Sequence, residues 1–217
     1  FFSGQYASGK NSLKFITFSG KQETYQAWGG IPEDSLKTNR TYNPYTYENE
    51  VDNYKQTHYQ LFYDRKISDK LFLNTALHYT KGEGYFEQFR EEDDMSIYGI
   101  DPVFTATDTL TTTDLIRRRW LDNDFYGGVF TLKYKPNNKL QTILGGGFNI
   151  YDGDHFGEVI WARSSNNLDI RDRYYDNTAT KTDGNIYSKT NYQLTKKFNA
   201  FLDLQVRQIQ YNFLGFD

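Results

Sequence analysis

Leu71-Phe72-Leu73-Asn74-Thr75-Ala76-Leu77-His78-Tyr79-Thr80 alternates with a period of two. Leu71, Leu73, Thr75, Leu77 and Tyr79 fall on one face, and Phe72, Asn74, Ala76, His78 and Thr80 on the other. A strand turns successive side chains to opposite faces, so this stretch predicts a strand with one apolar and one mostly polar face. The stretch 140–151 repeats the pattern. Leu140, Thr142, Leu144, Gly146, Phe148 and Ile150 stand opposite Gln141, Ile143, Gly145, Gly147, Asn149 and Tyr151. Ala200, Leu202, Leu204 and Val206 likewise face away from Phe201, Asp203, Gln205 and Arg207. Helical periodicity is hard to find anywhere.

Turn residues join these strands into hairpins. Residues 64–70 separate 54–63 from 71–79, and Lys135-Pro136-Asn137-Asn138-Lys139 separates 126–134 from 140–151. Thr195-Lys196-Lys197 separates 186–194 from 198–211, and Ser8-Gly9-Lys10-Asn11 separates 1–7 from 12–20. Gly, Asn and Pro suit tight connections, so about eight strands in about four hairpins are expected. The remaining connections are long: roughly 33, 45 and 34 residues. Structureless loops beyond about 12–15 residues are uncommon in compact soluble domains.

Composition narrows the class. Aromatic residues make up 18% of the 217, too many for a disordered chain. A net charge of −3 argues against binding nucleic acid through phosphates. The absence of cysteine excludes disulfides and thiolate chemistry. No apolar stretch approaches the length of a transmembrane helix. Strict alternation of short turns with long loops, on strands apolar on one side and polar on the other, is the pattern of a transmembrane β-barrel. The expected fold is therefore all-β: an antiparallel, up-and-down barrel segment with long extracellular loops. Tyr63, Leu71, Tyr134 and Leu140 would lie near the periplasmic girdle, with His78, Asn149, Gln205 and Arg207 facing the lumen. A soluble β-sandwich that binds glycans shares the alternation, but there Leu73, Leu77, Leu144 and Phe148 would meet a second sheet.

The short first connection places Phe1 outside, and the last strand, rising from Thr195-Lys196-Lys197, places Asp217 outside too. A complete barrel keeps both termini in the periplasm. The chain is accordingly expected to be an excerpt of a larger barrel.

Three stretches carry a family resemblance. Ser19-Gly20-Lys21-Gln22-Glu23-Thr24-Tyr25-Gln26-Ala27-Trp28-Gly29-Gly30-Ile31-Pro32 resembles the passage from strand to extracellular loop in Bacteroidetes TonB-dependent outer-membrane receptors. Asn39-Arg40-Thr41-Tyr42-Asn43 and the stretch from Gly145-Gly146-Gly147 through Asp152-Gly153-Asp154 to Trp161 look like further pieces, in the same order. The resemblance covers most of the chain. It implies that 1–217 belongs to a barrel of about 22 strands around an N-terminal plug. It also implies a Gram-negative outer-membrane location, uptake of a scarce ligand such as an iron-siderophore or a corrinoid, and a TonB complex acting through the plug. Outer-membrane lipid and a surface lipoprotein are the other implied partners, with no cofactor and no enzyme activity.

Candidate binding residues come from the expected loops. Tyr25, Trp28 and Trp161 offer flat apolar faces to a ligand, but loop packing or a place at the membrane interface explains the same rings. Arg117-Arg118-Arg119-Trp120 would attract an anionic ligand. A solvated charge run balanced by Glu91-Glu92-Asp93-Asp94 explains it as well. Asp152, Asp154 and Glu158 have oxygen spacing for calcium, without the full pattern of a calcium loop; turn chemistry accounts for Asp-Gly-Asp equally. His155 is a lone histidine with ligating capacity. No nucleophile–base–acid constellation stands out.

Overall fold

Eight long strands form a single antiparallel sheet in the computed structural model, which describes residues 1–213. The expectation for Asp217 lies outside the described residues. The strands are β1 (Phe2–Ser8), β2 (Asn11–Tyr25), β3 (Val51–Ser68) and β4 (Leu71–Asp94). A two-stranded ribbon, β5 (Val103–Phe104) and β6 (Thr109–Leu110), follows a 3-10 turn at Met95–Tyr98. The sheet resumes with β7 (Thr112–Tyr134), β8 (Leu140–Ala162), β9 (Arg173–Gln193) and β10 (Asn199–Phe213). One short helix, α1 (Glu33–Thr38), lies between β2 and β3. Its order, β1-β2-β3-β4-β7-β8-β9-β10, is that of an up-and-down meander, and the sheet does not close.

All four expected hairpins form. Gly9 takes φ +57° between β1 and β2, a left-handed conformation that a side chain would strain. Asn137 Oδ1 accepts from the backbone N–H of Lys139 and Leu140, at 2.8 and 3.0 Å, and closes the β7–β8 turn. Thr195 Oγ1 does the same for Lys197 and Phe198, at 3.2 and 3.1 Å. The turn expected over 64–70 contracts to Asp69-Lys70, because β3 runs on to Ser68 through a register shift after Lys66.

Register aligns the apolar sets of neighbouring strands on one side. Leu77 pairs with Leu61 and Gly128, Gly128 with Phe148, and Leu73 with Leu132, which pairs with Leu144. Beyond them Tyr79 pairs with Tyr59 and Tyr126, an aromatic row across three strands. Charge begins immediately after that row. Lys81 Nζ lies 2.5 Å from Asp122 and 3.1 Å from Asp124, and Lys55 pairs with Glu83 at 3.3 Å. From Leu71 to Tyr79 the apolar stretch spans about 25 Å along the strand, the height of a lipid-facing band.

This face is uncovered. Leu77 is 59% exposed, Phe148 52% and Val206 71%, and among the described residues the only other sheet is the β5–β6 ribbon. Among the described residues the second sheet that a sandwich requires is not there. The accessible surface, 14841 Å², compares with roughly 10,000 Å² for a compact monomer of this mass. The buried apolar cluster sits instead at the loop end, where Met95, Tyr98, Ile100, Leu115 and Val159 pack together. No helix among the described residues is long and apolar enough to cross a membrane, which says nothing of strands.

The connections differ from expectation in length. β4, β7, β8 and β9 run 24, 23, 23 and 21 residues, where about 9–11 suffice to cross a bilayer. Much of what reads as loop is therefore strand standing beyond the apolar band, and the true connections shrink to 26–50, 95–111 and 163–172. Beyond the apolar band the period-two signal disappears while the hydrogen-bonded ladder continues.

Candidate ligand-binding site

Opposite the apolar face, the strands present polar side chains that bond to one another. His78 Nε2 lies 2.8 Å from Asn149 Oδ1, and Thr80 Oγ1 lies 2.9 Å from His58 Nδ1. Asn74 donates to Asp64 at 2.6 Å, and Arg207 pairs with Asp183. In a barrel this face lines the interior.

Toward the loop end the same face carries an open cavity of about 520 Å³, whose lining includes Tyr54, Phe86, Arg119, Leu121, His155 and Tyr175. Pairing across four strands assembles it: Phe86 faces Arg119, Arg119 faces Gly157, and Gly157 faces Tyr175. Arg119 Nε donates to Tyr175 Oη at 3.1 Å, and its guanidinium lies 5.3 Å from the Tyr175 ring and 5.6 Å from Phe86. His155 Nε2 is 3.3 Å from Tyr151 Oη. Trp28 reaches over from the 26–50 connection and meets Phe86 edge-on at 5.1 Å. Gly82 makes room for the Tyr54 ring, since a Cβ there would sit 2.1 Å from Tyr54 Oη, which donates to Asn123 at 3.0 Å. The site thus combines ring faces, one imidazole and one guanidinium, a set suited to a flat anionic ligand.

Of the residues singled out in the sequence, Arg119, Trp120 and His155 line the cavity, and Trp28 stands at its rim against Phe86. Arg117, Arg118, Arg119 and Trp120 belong to β7 rather than to a loop. Alternation therefore separates the three guanidiniums. Arg117 shares the cavity side but binds Gln88 at 2.8 and 3.2 Å and the Tyr98 hydroxyl at 3.0 Å. Arg118 points to the opposite face, where Nε donates to Glu87 at 2.7 Å. Trp120 shares that face, donating to Glu158 at 2.9 Å and stacking with Phe156 at 5.8 Å. The Glu91–Asp94 acids do not balance this run as a block: Asp93 takes Arg90 at 2.9 Å and the Tyr98 hydroxyl at 2.6 Å.

Tyr25 ends β2 and donates to the carbonyls of Tyr45 and Tyr47 at 2.9 and 3.0 Å, holding the 26–50 connection. Trp161 lies exposed near the end of β8, paired with Ile116. Asp152, Asp154 and Glu158 also lie in β8, not in a loop. Asp152 and Glu158 are six residues apart on an extended strand, about 20 Å, so one ion does not join all three. Among the described residues no group of three His, Asp or Glu is placed to hold a metal ion.

Tyr54, Phe86, Tyr175, Glu50 and Glu87 escape a sequence reading. The turn at Asp69-Lys70 sets Tyr54 opposite Gly84, but the partners of Phe86 and Tyr175 depend on pairings across the long connections.

No family model matches the chain, and no curated protein matches it. Among solved structures it matches the crystal structure of the ferric-catecholate import receptor Fiu from E. coli K12 in its closed form, with a TM-score of 0.55 and 14% sequence identity. The match covers 94% of this chain and 32% of that one, so the chain spans about a third of the receptor it resembles. At this identity the likeness establishes the fold alone: the antiparallel sheet of this chain follows that of the matched receptor, here as eight strands that do not close. The matched protein is a transport receptor rather than an enzyme.

Proposed function

We propose that residues 1–217 form part of the barrel domain of a TonB-dependent receptor in the outer membrane of a Gram-negative bacterium, one that imports a scarce ligand. An iron chelate is the first candidate and a corrinoid the second. Outer-membrane lipid meets the apolar face, and the TonB complex acts through a plug domain inside the barrel. The observation that carries this reading is the placement of Arg119, His155 and the Tyr175 and Phe86 rings, with Trp28 against Phe86, on the face opposite the apolar band and beyond its end. There a ligand arriving from outside meets a cation and aromatic walls before it meets the interior. The match to a ferric-catecholate import receptor supports the choice of an iron chelate.

A heated-versus-unheated detergent gel of outer membranes, probed with an antibody to residues 91–119, tests the barrel. A band well above the 25.5 kDa of this chain that shifts on heating is expected. A soluble band with no heat shift would sink the receptor reading. With the full-length receptor and ferric tris-catecholate as probe, Arg119→Ala is expected to weaken binding by about 10- to 100-fold, the worth of one charge-assisted hydrogen bond. Unchanged affinity would move the ligand elsewhere.

A further inference from the structure

The connection 26–50 is anchored by two buried carboxylates. Glu50 and Glu87 are each only 1% exposed. Glu87 is saturated: Oε1 accepts from the Tyr47 hydroxyl at 2.5 Å and from Asn49 Nδ2 at 2.7 Å, and Oε2 accepts from Arg118 Nε. Glu50 is not. Its Oε2 accepts the Phe89 backbone N–H at 3.2 Å, while Oε1 is buried with no partner. At the other end of the connection, Gln26 donates its backbone N–H to the Glu50 carbonyl at 2.7 Å, and Asn43 Nδ2 caps the Gln26 carbonyl at 2.8 Å. Trp28, two residues further on, rests on Phe86 at the cavity rim.

We propose that the 26–50 connection is a proton-operated lid at the rim of the cavity, where its Trp28 rests on Phe86: Glu50 seats it in the protonated form and loosens it when ionised. The inference rests on the cavity being the ligand site and concerns how that site is regulated. A buried carboxylate with an unpaired oxygen is costly when charged, whereas the neutral acid loses far less on burial. The charged groups acting on it are Arg90 and Glu87 from β4 and Arg117 from β7. Burial pushes the Glu50 carboxyl up; the Phe89 N–H, Arg90 and Arg117 draw it down only in part, and Glu87 raises it further. Burial and the bond to Glu87 likewise hold the Tyr47 hydroxyl well above its ordinary range, so it stays a donor throughout.

The sign follows from linkage. A carboxyl whose pKa rises on seating holds the lid fully below its unseated pKa, and the contribution is lost as pH climbs through the seated value. The open-to-closed ratio should grow about tenfold for each unit by which seating raises that pKa.

The chain holds no cysteine, so a nitroxide attached through Lys37→Cys in the full-length receptor reports the lid directly. Its mobile fraction is expected to rise between about pH 4 and about pH 8, across and above the carboxylate range. In Glu50→Gln, which keeps the neutral shape, the label should stay immobile throughout. A flat profile in the parent protein, or a Glu50→Gln profile that follows it, overturns the proposal. Because the label needs no ligand, failure of the import reading leaves this result standing, and the reverse also holds.

Discussion

Leu144→Arg is expected to destabilise the folded receptor by about 2–4 kcal/mol, the cost of an arginine on the lipid face near the middle of the bilayer. Leu144 stands between Leu132 on β7 and Ser188 on β9, well inside the apolar band. Its Cβ points to the side on which Leu77 and Phe148 lie bare, so the new guanidinium has no protein carboxylate to meet there. Gln141→Arg is the matched control. It lies three residues away on the opposite face, beside Asn191, where a charge meets water and polar side chains. The two variants should separate in a urea titration of the full-length receptor in lipid bilayers, with the heat-shifted gel band as readout. If Gln141→Arg were the more damaging, the two faces would be inverted and the lipid band would lie on the other side.

Glu87→Ala should be the next most costly change, about 3 kcal/mol. Removing one partner of a buried ion pair leaves the other charged and uncompensated. Here the loss includes the acceptor for Tyr47 and Asn49 as well as for Arg118. The value lies at the lower end because Arg118 keeps 20% of its side-chain surface accessible to water. The damage should be local. Hydrogen exchange and protease cleavage across 26–50 should accelerate while the strands of the apolar band keep their protection, since they share none of these bonds. Glu87→Gln, which retains an acceptor but not the charge, should fall between the two. Unchanged exchange in Glu87→Ala would mean that Tyr25 and Trp28 hold the connection without the carboxylate.

The sequence by itself determined the strand faces and the hairpins. Leu71, Leu73, Leu77 and Tyr79 read as one apolar row because consecutive side chains on a strand must point to opposite sides, whatever surrounds them. Asn137, Thr195 and Gly9 announce tight turns because their backbone requirements are local. Those two signals suffice for an antiparallel meander with one apolar side, and together with the long connections they point to a barrel. Only the tertiary structure decided how far the strands run, and which residues meet at the cavity. Beyond the band, the stretch of β4 from Lys81 to Asp94 mixes glycine, aromatic and charged residues without an apolar alternation, so nothing in its composition separates strand from loop. Arg119 meets Tyr175, and Glu87 meets Arg118, through ladders that join segments tens of residues apart. Three adjacent arginines read as one cationic patch until strand geometry sends Arg118 to one side and Arg117 and Arg119 to the other. A period of two is written into every strand, whereas register across a long connection is settled by the summed cross-strand contacts of the whole sheet.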